Sequence, residues 1–275
     1  MPALPPGASD KRRAFRELHR AGCFVIPNPW DVGSALFLQS LGFKALATTS
    51  SGFAWAHGRP DGAVSREAVL AHLREIVAAT DLPVNADFQN GFGPESRDVA
   101  DSVSRAVETG IAGLSIEDST GDPGRPLFEI DTAVARLRAA REAIDRSGCD
   151  VLLVGRAECF VVGRPDLEET LARLKAYAQA GADCLFAPGI RTAEQITAVV
   201  KAVAPKPVNL LVGIPSDLTL ARVAELGVRR ISVGGALARS AWGGWMQSAR
   251  RISEQGRFDA SGPAPTHDQL DALFG

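Results

Sequence analysis

Acidic side chains directly follow short apolar runs at three places in this chain: Asp87, the pair Glu117 and Asp118, and Glu158, the last with Arg156 two residues before it. An ionised carboxylate at the end of a buried strand is costly unless it is paired or holds a metal. Either these groups close into a ring of salt bridges, or several carboxylates aimed at one volume share a cation. An oxygen-only donor set suits Mg2+, or Mn2+, rather than Zn2+. None of the histidines follows an apolar run: His19 and His72 fall on helical faces, His57 in a loop and His267 in the tail. A zinc site or a His-based triad therefore gains little support. Nearby, Thr48-Thr-Ser-Ser-Gly52 offers hydroxyls and successive backbone N–H groups that can cradle a carboxylate or a phosphate. The stretch Asn90-Gly-Phe-Gly93 allows close backbone approach. Arg156 suits a bidentate grip on a carboxylate. Cation, cradle and guanidinium together describe a site for a small oxo-acid anion. A chelated 2-oxo acid is an electron sink, so a bond to its C3 can break with the electrons held as a metal-bound enolate.

Such a convergence needs a scaffold that brings distant strand ends together. Eight apolar runs of four or five residues alternate with amphipathic stretches: 23–27, 45–48, 83–86, 113–116, 151–154, 183–186, 207–211 and 230–233. Each is as long as a buried parallel strand, and little polar alternation is read in them. Helical spacing runs over 34–41, 65–80, 98–109, 132–146, 167–180, 193–202 and 218–226, with Ser65 and Asp131 as N-caps. Gly42, Gly110, Gly181 and Gly227 follow as C′ residues. Eight strand–helix units predict a single (β/α)8 TIM-type barrel over 1–275, with chemistry at the carboxyl ends of its strands. An open doubly wound sheet is the alternative, but no GxGxxG follows the first strand. Residues 1–22 contribute an extra N-terminal helix that plugs the lower mouth, 23–250 the barrel, and 251–275 a C-terminal arm, whose apolar Phe258 and Phe274 suit packing on a neighbouring subunit. Trp30 and Trp55 stand beside strand ends, at the pocket mouth or in packing; Trp242 and Trp245 suit an interface or a core.

Composition sets the outer limits. The 275 residues carry 30 Lys and Arg against 32 Asp and Glu, a net charge of -2. No global field exists to hold nucleic acid or an anionic membrane. No apolar run approaches the roughly 20 residues that span a bilayer. The first residues, Met1-Pro-Ala-Leu-Pro-Pro, lack the pattern of a signal peptide. Four isolated cysteines without a CxxC pair read as buried thiols of a cytoplasmic protein.

At these strand-end residues the chain resembles the isocitrate lyase/phosphoenolpyruvate mutase superfamily. The resemblance rests on Asn28-Pro-Trp-Asp31, Thr48-Thr-Ser-Ser-Gly52, Arg59-Pro-Asp61, Ala86-Asp-Phe-Gln-Asn-Gly-Phe-Gly93, Ser115-Ile-Glu-Asp118, Gly155-Arg156 and Pro207-Val-Asn209. It implies a Mg2+-dependent barrel enzyme acting on C–C or C–P bonds of 2-oxo acids, assembled as a dimer or tetramer with its last helix exchanged between subunits. It implies Asp87 as the direct metal ligand, with Asp61, Gln89 and Glu117 reached through water. Trp30, Thr49, Ser50, Ser51, Gly52, Asp87, Arg156 and Asn209 would contact substrate, and Asp61, Glu117 and Arg156 would carry the catalysis. Two departures matter. Gln89 stands where the superfamily usually has a second acid, which weakens metal affinity. The segment Glu117-Asp-Ser-Thr-Gly-Asp-Pro-Gly-Arg125 lacks the lid cysteine of the isocitrate and methylisocitrate lyases. Decarboxylation of an oxaloacetate-type acid, which needs no dedicated proton donor, is the reading that fits. Retro-aldol cleavage of an isocitrate- or methylisocitrate-like acid, with Glu158 or Asp122 as base, is the alternative. A non-catalytic 2-oxo acid binding protein is another, and phosphonate C–P chemistry ranks lower.

Overall fold

A computed structural model of the protein describes residues 5, 7–259 and 264–275. The signal-peptide reading rests mostly on residues outside that range, as do Gly262 and Pro263 of the tail. Eight strands run in parallel: β1 (Phe24–Ile26), β2 (Leu46–Ala47), β3 (Val84–Asp87), β4 (Gly113–Glu117), β5 (Leu152–Arg156), β6 (Cys184–Phe186), β7 (Val208–Leu211) and β8 (Arg230–Ser232). Their order is β1-β8-β7-β6-β5-β4-β3-β2, with every neighbouring pair parallel. The β1–β2 seam is bridged by the Ala47 N–H donating to the Pro27 carbonyl at 3.0 Å. Asn28 reinforces it: its amide donates to the Thr48 carbonyl and accepts from the N–H groups of Val233 and Gly234. One side chain thus ties three strand ends together. The (β/α)8 barrel expected from the sequence is the fold observed.

Helix α1 (Ala8–Leu18) closes the lower mouth. Phe15, fully buried, clusters with Ala45, Ala112 and Leu152 at the amino ends of their strands and with Ile26 of β1. Gly113 makes room for it, since an added Cβ would lie 2.7 Å from the Phe15 ring. Around the barrel run α2 (Val32–Ser40), α3 (Ser50–Ala56), α4 (Arg66–Ala79), α5 (Ser96–Glu108), α6 (Ile130–Arg146), α7 (Leu167–Gln179), α8 (Ala193–Val203), α9 (Leu220–Glu225) and α10 (Ala236–Gln255). Ser65 caps α4 as expected, accepting from the Ala68 N–H. Asp131 does not cap α6; it lies in the first turn, behind Glu129 at the N-cap.

The strands are less uniformly apolar than their sequence suggests. Asn85, Ser115, Asn209, Arg230 and Ser232 are buried and line the cavity at the barrel mouth. The period-2 pattern was present inside runs read as apolar. At the C-terminal end, α10 continues five residues past the expected boundary at 250. Helix α11 (His267–Phe274) follows and packs on α2 of its own chain, with Phe274 beside Gly33. Phe258 is exposed. None of the described helices is long and apolar enough to cross a membrane.

Candidate active site

The carboxyl ends of the strands surround a cavity of about 350 Å3. Asp87 closes β3, and its backbone N–H donates to the Thr48 hydroxyl at 2.9 Å. Its Oδ2 accepts the Ser50 N–H at 2.9 Å, and its Oδ1 accepts Arg156 Nη1 at 3.1 Å. The hydroxyl-rich segment runs into a short helix. Thr49 caps the short helix α3, so the first free N–H of that helix points at Asp87.

Arg156, at the end of β5, gathers three carboxylates. Nη1 meets Asp87 and, at 3.0 Å, Glu117, while Nε donates to Glu158 at 2.5 Å. Its ring-facing side lies 5.2 Å from the Phe186 ring centre. Burial works against its charge, but Glu117, Glu158 and Asp87 outweigh that and hold it firmly protonated. The acids are left in surplus. Burial pushes the Glu117 carboxyl up to about 8; Arg156 opposes this, Glu158 and Asp87 add to it, and the Ser119 hydroxyl donates to Glu117 at 2.8 Å. Glu158 is raised for the same first reason. Asp61 is raised by burial and by Asp87, with the Ser50 hydroxyl and the Gly62 N–H pulling the other way.

Behind this cluster Asp118 accepts from Tyr177 Oη at 2.6 Å, from Arg173 at 3.1 Å and from the Glu158 N–H at 2.8 Å. It fixes the backbone that carries Glu158, and so the angle at which Glu158 meets Arg156.

Of the expected site residues, Thr49, Ser50, Ser51, Asp61, Asp87, Arg156 and Asn209 line the cavity. Trp30, Gly52, Gln89 and Glu117 do not. Gly52 is buried behind the cradle, where an added Cβ would meet Thr49 at 2.8 Å and Trp30 at 2.9 Å, so Trp30 backs the cradle. Gln89 has φ 50, and its backbone carbonyl accepts the Glu117 N–H. Glu117 stands behind Arg156. The bidentate grip expected of Arg156 is altered too, because its Nε and Nη1 are already committed to protein carboxylates. Asp122 accepts the Gly124 N–H in its own exposed turn, away from the cavity. Trp55 lines the cavity, one of the two placements its position suggests; Asn28, Arg230, Ser232 and Arg239 line it without a site role having been read for them, and the polar alternation of β8 was the signal available for Arg230 and Ser232. Cys159 is buried, as its sequence context suggests.

Among the described residues no group of three or more His, Cys, Asp or Glu forms a ready-made metal cage. Mg2+ does not require one, since it is held through one or two carboxylates and keeps several waters. The donor chemistry fits: one guanidinium serves three carboxylates, one of which is protonated near neutral pH, and Asp87 faces the open cavity.

The family model described as phosphoenolpyruvate phosphomutase matches residues 15–253. The chain belongs to the phosphoenolpyruvate mutase/isocitrate lyase superfamily. Within the superfamily it is 32% identical over 234 residues to the oxaloacetate decarboxylase of Paraburkholderia xenovorans, covering 82% of this chain and 75% of that one. A crystal structure from Burkholderia cenocepacia, provisionally assigned as a lyase/mutase, superposes with a TM-score of 0.94 at 44% identity over 97% of both chains. The structure of 2,3-dimethylmalate lyase gives a TM-score of 0.85 at 28% identity, covering 99% of this chain and 96% of that one. The superfamily relatives are thus lyases and mutases, which supports an enzyme here.

Proposed function

We propose that this chain is a divalent-cation-dependent lyase acting on a C–C bond of a small 2-oxo acid, with decarboxylation of an oxaloacetate-type substrate as its reaction. The observation that carries this reading is the surplus of carboxylates around Arg156 at the mouth of the cavity, beside the Ser50 N–H. Asp87 would hold the cation, Mg2+ or Mn2+, with Asp61 acting through water; Glu117, behind Arg156, would join through water only once deprotonated, and Gln89, set back from the cavity, contributes at most through its amide. A cation bound there would draw electron density from the keto oxygen and lower the energy of an enolate. The Thr49 and Ser51 hydroxyls, 3.1 Å apart, would then donate to a substrate carboxylate, while the Ser50 N–H stays on Asp87. Arg156 keeps Asp87 and Glu117 aligned and offers Nη2 to the substrate. Asn209 supplies an amide from the opposite wall. Loss of CO2 from C3 leaves an electron pair that needs only a proton from solvent or a cradle hydroxyl, which matches a loop after Glu117 without Cys or His.

Retro-aldol cleavage is the second reading, and Glu158 favours it. This buried carboxyl, raised by desolvation, sits on Arg156 Nε outside the cavity lining, so as a base it would act through a movement of Arg156. The assembly is proposed as a homo-oligomer: α10 buries only Ala238 and exposes Leu237, Trp245, Met246 and Ile252. The deciding assay mixes protein, Mg2+ and oxaloacetate and follows loss of substrate absorbance against a metal-only blank. Turnover above the blank supports decarboxylation. Calorimetric binding of pyruvate or 2-oxoglutarate with no turnover of any 2-oxo acid supports a binding protein instead.

A further inference from the structure

The floor of the cavity holds a second buried arginine. Arg230, the first residue of β8, is 2% exposed and lines the cavity from below. Its surroundings differ from those of Arg156. Nε donates to Asn209 Oδ1 at 2.8 Å and Nη1 to Asn85 Oδ1 at 3.3 Å. Among the described residues it makes no ion pair with a carboxylate; burial depresses its pKa, the Cys184 thiol opposes this, and His19 lies close enough to feel its charge. A lone buried guanidinium adds little to stability, and well-packed apolar replacements of such groups are often neutral or stabilising. The fold instead makes room for one of its acceptors: an added Cβ on Gly113 would lie 2.8 Å from Asn85 Oδ1.

Guanidinium chemistry gives this residue a task. It carries five N–H donors and no acceptor, so any amide facing it must present oxygen. Asn209 and Asn85, on β7 and β3, both do so. With Oδ1 turned down to Arg230, the Asn209 Nδ2 is turned away from it and donates to Ser232 Oγ at 2.9 Å, leaving its second N–H as a donor. Without a donor-only neighbour an amide between polar groups can flip and present either atom. Resting on the reading of Asn209 as a substrate contact, we infer that Arg230 is a positioning residue: it locks the Asn209 amide so that this residue acts on the substrate only as a hydrogen-bond donor, suited to an oxyanion.

Arg230→Gln tests this, because glutamine keeps a hydrogen-bonding head but offers Asn209 both a donor and an acceptor. In protein labelled with 15N at asparagine, the Asn209 amide is assigned by its disappearance in Asn209→Ala. Its protons are expected to exchange with water at least about tenfold faster in Arg230→Gln than in wild type. Arg230→Lys, whose ammonium also only donates, is expected to retain most of the protection. In calorimetry with Mg2+, pyruvate affinity should fall about tenfold in Arg230→Gln but less than about twofold when the same change is made in Asn209→Ala. Unchanged exchange in Arg230→Gln, or equal losses of affinity in both backgrounds, overturns the inference. If Arg230→Gln does not fold, Arg230→Lys carries the test, and loss of protection there overturns it. A locked amide in a protein that binds no 2-oxo acid would sink the functional reading and leave the clamp standing.

Discussion

At the lower mouth of the barrel Arg12, 2% exposed, gives its donors to the carbonyls of Ile111 and Val107 at 2.9 and 2.8 Å. At the upper rim Arg156 sits among three carboxylates. Both are buried cations, but they are balanced differently. Arg12 caps the C-terminal end of α5, where unpaired carbonyls and the helix dipole favour positive charge. That arrangement is complete within the chain and needs nothing further. The rim carries more acid than its guanidinium neutralises, and Glu117 meets the deficit by holding a proton up to about pH 8. A region that is complete on its own serves stability; one that needs a proton or a cation to be complete is where chemistry is expected.

The largest expected effect separates the two ends outright. Asp87→Ala should lower cation-dependent turnover of oxaloacetate by at least about a thousandfold, while the thermal midpoint stays close to wild type. Retained turnover at saturating substrate would remove Asp87 from the metal site and blur the distinction. The reciprocal change is Phe15→Ala. The ring is fully buried at the lower mouth, and its loss is expected to cost about 3–5 kcal/mol in urea unfolding. Pyruvate affinity of the fraction that remains folded should be unaltered. If that affinity falls with stability, the two mouths are coupled.

How far each end could be read from the sequence follows the same division. The eight strands and the α1 plug were legible because buried parallel strands form short apolar runs and glycines end the helices. Arg156 and Asp87 were legible as charges at strand ends, but whether Glu158 pairs with Arg156 or serves another role stayed open in the sequence. What failed was the barrel interior. Arg230 and Ser232 sat inside a run counted as apolar, because a strand facing a polar cavity on one side and helices on the other alternates. Helix α3 leaves no helical signature, since seven residues containing Gly52 give too little periodicity to register. The sharing of one guanidinium by three acids depends on β3, β4 and β5 being adjacent, and no local pattern encodes that distance.

A smaller effect tests the lower mouth by pH. His19 is buried there, its Nδ1 against the Phe15 carbonyl at 2.8 Å and its ring edge-on to Phe15 and Phe24. Burial, with Arg230 and Arg16 nearby, lowers its pKa to about 3. The unfolded chain protonates His19 near pH 6.5, so it binds the extra proton first as pH falls. The associated stability is fully present above that pH and is lost between about 6.5 and 3. At pH 5 the expected loss is about 2 kcal/mol relative to pH 7.5. In His19→Gln this part of the acid sensitivity should vanish, as read by urea unfolding at both pH values. Equal acid sensitivity in the two proteins would place the labile proton elsewhere.

The smallest effect concerns the neighbouring cap. Lys11 Nζ donates to the carbonyls of Val77 and Thr80 at 3.1 and 2.5 Å, at the C-terminal end of α4, as Arg12 does for α5. Burial lowers its pKa, with Asp81 opposing, so the group keeps its charge at some desolvation cost. Lys11→Met retains most of the stem and removes the ammonium, and is expected to lose about 1 kcal/mol at low salt. Part of that difference should disappear in high salt, because a half-buried charge at a helix terminus remains screened by ions. A salt-independent loss would mean that Lys11 acts through its two hydrogen bonds alone. The lower mouth would then be balanced by carbonyl pairing rather than by helix dipoles, and its contrast with the rim would become one of hydrogen-bond completeness instead of charge.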